Sequence, residues 1–109
     1  MKAIKKTIRP SLNFLRATGL EIVSKGQDIV SHMTGNPDYP HPPIELSAAK
    51  AALDSYAVAI AESADGGKKA IAERDRQRVI VSDILRKLSA YVVLACNDDI
   101  VAFLSNGFE

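Results

Sequence analysis

The chain has 109 residues, 47% hydrophobic and 25% charged, with a formal net charge of +1. That length sets one domain with a modest core. The balance is that of a globular chain rather than a disordered one, and the near-zero charge gives no global attraction to nucleic acid or membrane. A single cysteine, Cys96, cannot form an internal disulfide. No apolar run approaches the roughly 20 residues of a membrane helix, and no secretory signal is visible at the N-terminus. A cytoplasmic protein is the expectation.

Residues 1–17 carry Lys2, Lys5, Lys6, Arg9 and Arg16 and no acid. Ile4, Ile8, Leu12 and Leu15 recur at near-helical spacing, but Pro10 interrupts. The segment reads as a basic arm, helical or extended, ahead of a helical domain over 18–109. The C-terminal end holds Asp98, Asp99 and Glu109 and no Lys or Arg in its sequence. Ends of opposite charge can attract each other between molecules. Two solvated ends are the plainer reading.

Thr18-Gly19-Leu20-Glu21 fits a capping box. Ile22, Val23, Ile29, Val30 and Met33 then follow on one face. Gly35 suits a left-handed cap and Pro37 forbids continuation, so a first helix is predicted over about 19–34. Next comes a Pro-rich bridge with Pro37, Pro40, Pro42 and Pro43. An extended conformation lets it cross the end of a bundle. Tyr39 is the large side chain available to anchor it. Its ring is expected on the bundle end with the hydroxyl at the water boundary.

A second helix is predicted from Pro43 or Ile44 to the Asp65-Gly66-Gly67 turn. Leu46, Ala49, Leu53, Tyr56 and Ile60 alternate three and four residues apart along it, a seam suited to shallow-angle packing. The third helix, from about Lys68, repeats that spacing in Val81, Ile84, Leu88, Tyr91 and Ala95. Val79, Ile80, Leu85, Val92 and Val93 widen the stripe, which implies more than one covering partner. The second and third helices should pair antiparallel about the Gly66-Gly67 turn, with Asp54 close to Arg78. Asn97, Asp98 or Asp99 can cap a short fourth helix carrying Ile100, Val101, Phe103 and Leu104, with Gly107 as its stop. At about 1.5 Å per residue the three main helices measure roughly 24, 32 and 42 Å, so they do not match in length. The fold class is all-α: a small antiparallel bundle of three main helices plus a short C-terminal helix, with a basic N-terminal arm.

Met33-Thr34-Gly35-Asn36-Pro37 with Tyr39-Pro40, the Gly-Gly turn, Arg78, Ala90-Tyr91-Val92 and the Ser105-Asn106-Gly107-Phe108 ending carry a resemblance. Together they resemble an uncharacterised bacterial helical domain of the kind found N-terminal to fibronectin type III domains. The chain departs from that arrangement by stopping at Glu109. The resemblance implies a structural or interaction role and transfers no catalytic residue.

No chemistry-bearing constellation competes with that reading. His32, His41 and the distant Cys96 do not make a metal-ligand spacing. The apolar neighbours of Cys96 argue against an activated thiolate. Gly66-Gly67-Lys68-Lys69 lacks the phosphate-loop pattern and its preceding strand. Glu73-Arg74-Asp75-Arg76 reads as a solvated charge run. Neither catalytic, cofactor-binding nor metal-binding residues are assigned, and the chain is read as a non-enzyme. The expected function is a helical scaffold or oligomerisation module in a homo-oligomeric assembly. The alternative is a nucleic-acid-binding or regulatory helical protein using the basic arm, with Arg74, Arg76 and Arg78 beside it. Interface candidates are Ile4, Ile8, Leu12, Leu15, Val92, Val93, Phe103 and Phe108.

Overall fold

A computed structural model describes residues 10–108. A 3-10 turn over Asn13–Arg16 leads into helix α1 (Gly19–Met33). Helices α2 (Leu46–Ser63), α3 (Lys68–Cys96) and α4 (Ile100–Leu104) follow, with no strand among the described residues. The expected all-α bundle of three main helices plus a short fourth is the architecture observed.

Local chemistry sets the boundaries. Thr18 Oγ1 accepts from the Glu21 amide at 3.3 Å, satisfying one of the free N–H groups that open α1. Gly35 (φ +70°) and Gly66 (φ +78°) take the left-handed conformation that ends α1 and turns α2 into α3. The start of α2 differs from expectation, at Leu46 rather than Pro43 or Ile44. The first helical bond there runs from the Ala49 amide to the Glu45 carbonyl, and the preceding residues stay in the extended bridge. At the end of α3, Asn97 (φ 46°) and Asp98 (φ 61°) both turn left-handed, which short polar side chains tolerate. Asp99 then caps α4, its carboxylate accepting from Val101 at 2.9 Å and Ala102 at 3.4 Å.

Helices α1 and α2 run antiparallel, with Gly26 against Leu53 and Gly19 against Tyr56 and Ile60. A β-carbon on Gly26 would lie 2.6 Å from Leu53 Cδ2, so the small residue permits a close approach of the two helices. The core gathers Ile22, Ile29 and Met33 of α1, Ala49, Leu53 and Tyr56 of α2, and Val81, Leu85, Leu88 and Val92 of α3. Spacing of three and four residues along each helix is what brings these onto one stripe.

Two expectations about α3 are corrected. Val79 and Ile80 do not widen the core stripe and are exposed. At about 100° per residue, Val79 sits roughly 200° around the helix from buried Val81. Asp54 does not meet Arg78. It accepts from Gln27 Nε2 at 2.7 Å and Lys50 Nζ at 3.1 Å, on the side of α2 that faces α1. Arg78 Nη2 instead donates to the carbonyls of Leu15 (2.9 Å) and Ala17 (3.0 Å), tying the segment before α1 to α3.

Candidate assembly surface and its supporting clasp

The bridge between α1 and α2 and the segment after α4 build one polar clasp at the end of the bundle. It starts with a local device. The Asn36 carboxamide oxygen accepts from the Asp38 amide at 2.9 Å, and the Asn36 carbonyl accepts from the Tyr39 amide at 3.0 Å, which folds the chain back. Asn36 Nδ2 donates to the His32 carbonyl (3.1 Å), the Ser105 carbonyl (3.1 Å) and Ser105 Oγ (3.0 Å), crossing from α1 to the C-terminal segment. Ser105 Oγ directs its one proton to the Ala102 carbonyl at 2.7 Å, with Asp38 Oδ2 at 3.2 Å as the alternative acceptor.

Tyr39 goes deeper. Its ring meets Tyr91 edge-on at 6.1 Å, and its hydroxyl donates to the Ala102 carbonyl at 2.6 Å. Asn106 Nδ2 donates to that hydroxyl at 3.0 Å, while Asn106 Oδ1 accepts from the Phe108 amide at 2.8 Å. Tyr39 therefore fastens the bridge from inside. Its hydroxyl is buried, not at the water boundary, because Ala102 and Asn106 supply the partners that water would otherwise provide. Burial pushes the Tyr39 phenol above its ordinary value, and the Asn106 hydrogen bond pulls partly against that rise. Tyr91 adds a second tie, its hydroxyl accepting from the His41 amide at 3.0 Å. Gly107 (φ +82°) closes the clasp, since a β-carbon there would stand 3.0 Å from Ile29 Cα.

This clasp relocates most of the residues expected at an interface. Leu15, Val92, Phe103 and Phe108 are buried within their own chain. Leu12 and Val93 are half-buried. Thus α4 and the C-terminal segment cover the later half of α3, and Leu12 and Leu15 pack on their own bundle, held by Arg78. Ile4 and Ile8 lie outside the described residues.

The exposed apolar surface is elsewhere. Leu94 near the end of α3 is 80% exposed, and Ile100, Val101 (74%) and Leu104 of α4 are exposed beside it in sequence. Only Ala102 and Phe103 of α4 turn inward. Next to Leu94, a shallow apolar groove of about 310 Å³ is lined by His41, Pro43, Lys87, Ala90 and Tyr91. The sequence held a signal for α4: a five-residue helix apolar at every position can bury only one side. Leu94 also falls outside the Leu88-Tyr91-Ala95 spacing of the core stripe.

The charged face of α3 is internally paired. Arg76 donates to both carboxylate oxygens of Glu73 at 3.0 Å, Arg74 meets Asp75 at 3.0 Å, and Lys87 meets Asp83 at 3.0 Å. The two Arg76 hydrogen bonds, with a third from Gln77, lower the Glu73 carboxyl from 4.5 to about 2. His32 Nδ1 lies 2.8 Å from the Asp28 carbonyl, and Cys96 is buried against Val93. Among the described residues no group of three or more His, Cys, Asp or Glu could hold a metal ion, and no helix is long and apolar enough to cross a membrane.

No protein-family model, no curated protein and no solved structure matches this chain.

Proposed function

We propose that the protein is a non-enzymatic helical scaffold that assembles with further copies of itself through the end of α3 and α4. The observation that carries this reading is the exposed apolar set Leu94, Ile100, Val101 and Leu104 on a rigid support. The clasp fixes α4 to the bridge through side chains 67 to 69 residues apart, so the set is presented in one arrangement. Covering what these four side chains now expose is worth about 4–8 kcal/mol gross per subunit, before the cost of association. Asp98 and Asp99 flank the apolar set, and Lys2, Lys5, Lys6 and Arg9 stand at the other end of the chain. Every copy presents the same apolar set, so a second copy can cover it by self-complementary contact. The resemblance of Met33–Pro37, Tyr39 and Ser105–Phe108 to bacterial helical domains that precede fibronectin type III domains fits a structural role, and we place the protein in the cytoplasm.

Multi-angle light scattering of the full chain over a range of concentrations tests the proposal. A mass that rises above 11.8 kDa with concentration is the expected result. A monomer at the highest concentration, together with salt-dependent binding to generic duplex DNA, would replace the scaffold with the nucleic-acid reading.

A further inference from the structure

At the opposite end of the bundle from the clasp, a cleft of about 210 Å³ opens between the start of α1, the later half of α2 and the early half of α3. Gly19, Tyr56, Ile60, Ser63, Arg74, Asp75 and Arg78 line it. Three of these carry unused hydrogen-bond donors. Gly19 is the first residue of a 15-residue helix, so its amide has no intrahelical acceptor and lies at the positive end of the helix dipole. Arg78 is a half-buried cation whose hydrogen bonds both leave from Nη2 and go to neutral carbonyls. Its Nε and Nη1 have no protein acceptor among the described residues. Tyr56 is only 1% exposed, yet its hydroxyl has no hydrogen-bond partner among the described residues. That hydroxyl stands 2.8 Å from where a β-carbon on Gly19 would be, which sets it against the first turn of α1.

A phenol this buried normally finds a partner. No buried side-chain oxygen among the described residues lacks a partner, so the Tyr56 oxygen itself opens onto the cleft, where its partner is water or an anion that displaces it. The Asp75 carboxylate also reaches the lining, but Arg74 Nε and Nη2 both donate to its Oδ1, at 3.1 and 3.0 Å. Arg74 and Asp75 therefore cancel, and the Arg78 charge is left over. The absence of a side chain at Gly19 lets α2 come close to the first turn of α1, since a β-carbon would meet Ile60 Cδ1 at 2.7 Å.

We infer that this cleft binds one compact oxyanion, a phosphate or a carboxylate, held by the Gly19 amide, the Tyr56 hydroxyl and the Arg78 guanidinium. A helix N-terminus, a fixed hydroxyl donor and an uncompensated guanidinium form the donor set that an oxyanion requires. The site is independent of the assembly surface, which lies at the other end of α3.

The full chain is titrated with sodium phosphate and, separately, sodium acetate, with ionic strength held constant by sodium chloride. Backbone amide signals are followed by NMR. Saturable shifts centred on Gly19, Leu20 and Tyr56 are expected with at least one of the two anions, and the anion that saturates identifies the group. Tyr56→Phe keeps the ring and should weaken binding about tenfold. Arg74→Gln exposes the Asp75 charge to the cleft and should also weaken it, which keeps the test open if Tyr56→Phe folds poorly. Shifts that chloride reproduces, or that never saturate, mean an adventitious ion only and overturn the site. Unchanged affinity in a folded Tyr56→Phe or Arg74→Gln variant overturns it as well.

Discussion

Replacing Tyr39 by Phe removes one oxygen from the clasp and leaves the ring packing with Tyr91 in place. Two groups lose a partner, but not equally. The Ala102 carbonyl keeps the Ser105 hydroxyl, 2.7 Å away, and the Ser105 amide at 3.2 Å, so it stays satisfied. Asn106 Nδ2 has Tyr39 as its hydrogen-bond partner, and Asn106 is completely buried. The loss is therefore one buried, unsatisfied donor, about 1–3 kcal/mol, rather than two. For a chain of this size that lowers Tm by about 4–12 °C, measured by circular dichroism at 222 nm. A double-mutant cycle with Asn106→Ala isolates the pair. The two changes share one hydrogen bond, so the double variant should be less destabilised than the sum of the singles by about 0.5–3 kcal/mol. A Tyr39→Phe Tm within 1–2 °C of the parent, or strict additivity in the cycle, would refute a clasp organised around the Tyr39 hydroxyl.

The same phenol gives a pH dependence. Its folded pKa is raised, so its contribution is complete below the ordinary value of 10 and is lost as pH climbs through the folded value. Stability of the parent should fall above pH 10 more steeply than that of Tyr39→Phe, read from urea midpoints. Glu73 acts in the opposite sense. Its carboxyl is lowered from 4.5 to about 2, so its contribution is present above 4.5 and fades as pH drops toward 2. Glu73→Gln should flatten that acid limb, and an unchanged slope would show that the Arg76 pair is idle. Gly107→Ala puts a β-carbon at φ +82° and 3.0 Å from Ile29 Cα, so a loss of about 1–2 kcal/mol from the left-handed conformation alone is expected in chemical denaturation. Arg78→Met should release the segment before α1, seen as faster protease cleavage near Arg16 while α2 and α3 stay helical.

Apart from the start of α2, helix limits were legible because each is a short-range event. Thr18, Gly35, the Gly66-Gly67 turn and Asp99 act within three or four residues of themselves. The faces of α3 were less so. Val79 and Ile80 look like core by composition, and only the three-dimensional position of α2 decides that Val81 and Leu85 turn inward. The clasp was legible in its two halves but not as a unit. Asn36 and Asn106 each look like ordinary turn residues, and nothing local says that they share Tyr39 and Ser105 across nearly seventy positions. Phe103 and Phe108, expected at an interface, are buried within their own chain, in a core gathered from elements distant in sequence. The oxyanion cleft shows the same limit, since Gly19, Tyr56 and Arg78 come from three helices and follow no motif.

Assembly through Leu94 and α4 is tested most directly by sedimentation equilibrium of the parent beside a Leu94→Lys, Val101→Lys double variant. Both positions are exposed, so the variant should keep its helical signal and Tm. The parent is predicted to show a concentration-dependent mass above 11.8 kDa, and the variant to remain at that mass. A parent that stays at 11.8 kDa at every concentration, or a variant that associates as strongly as the parent, would contradict the account.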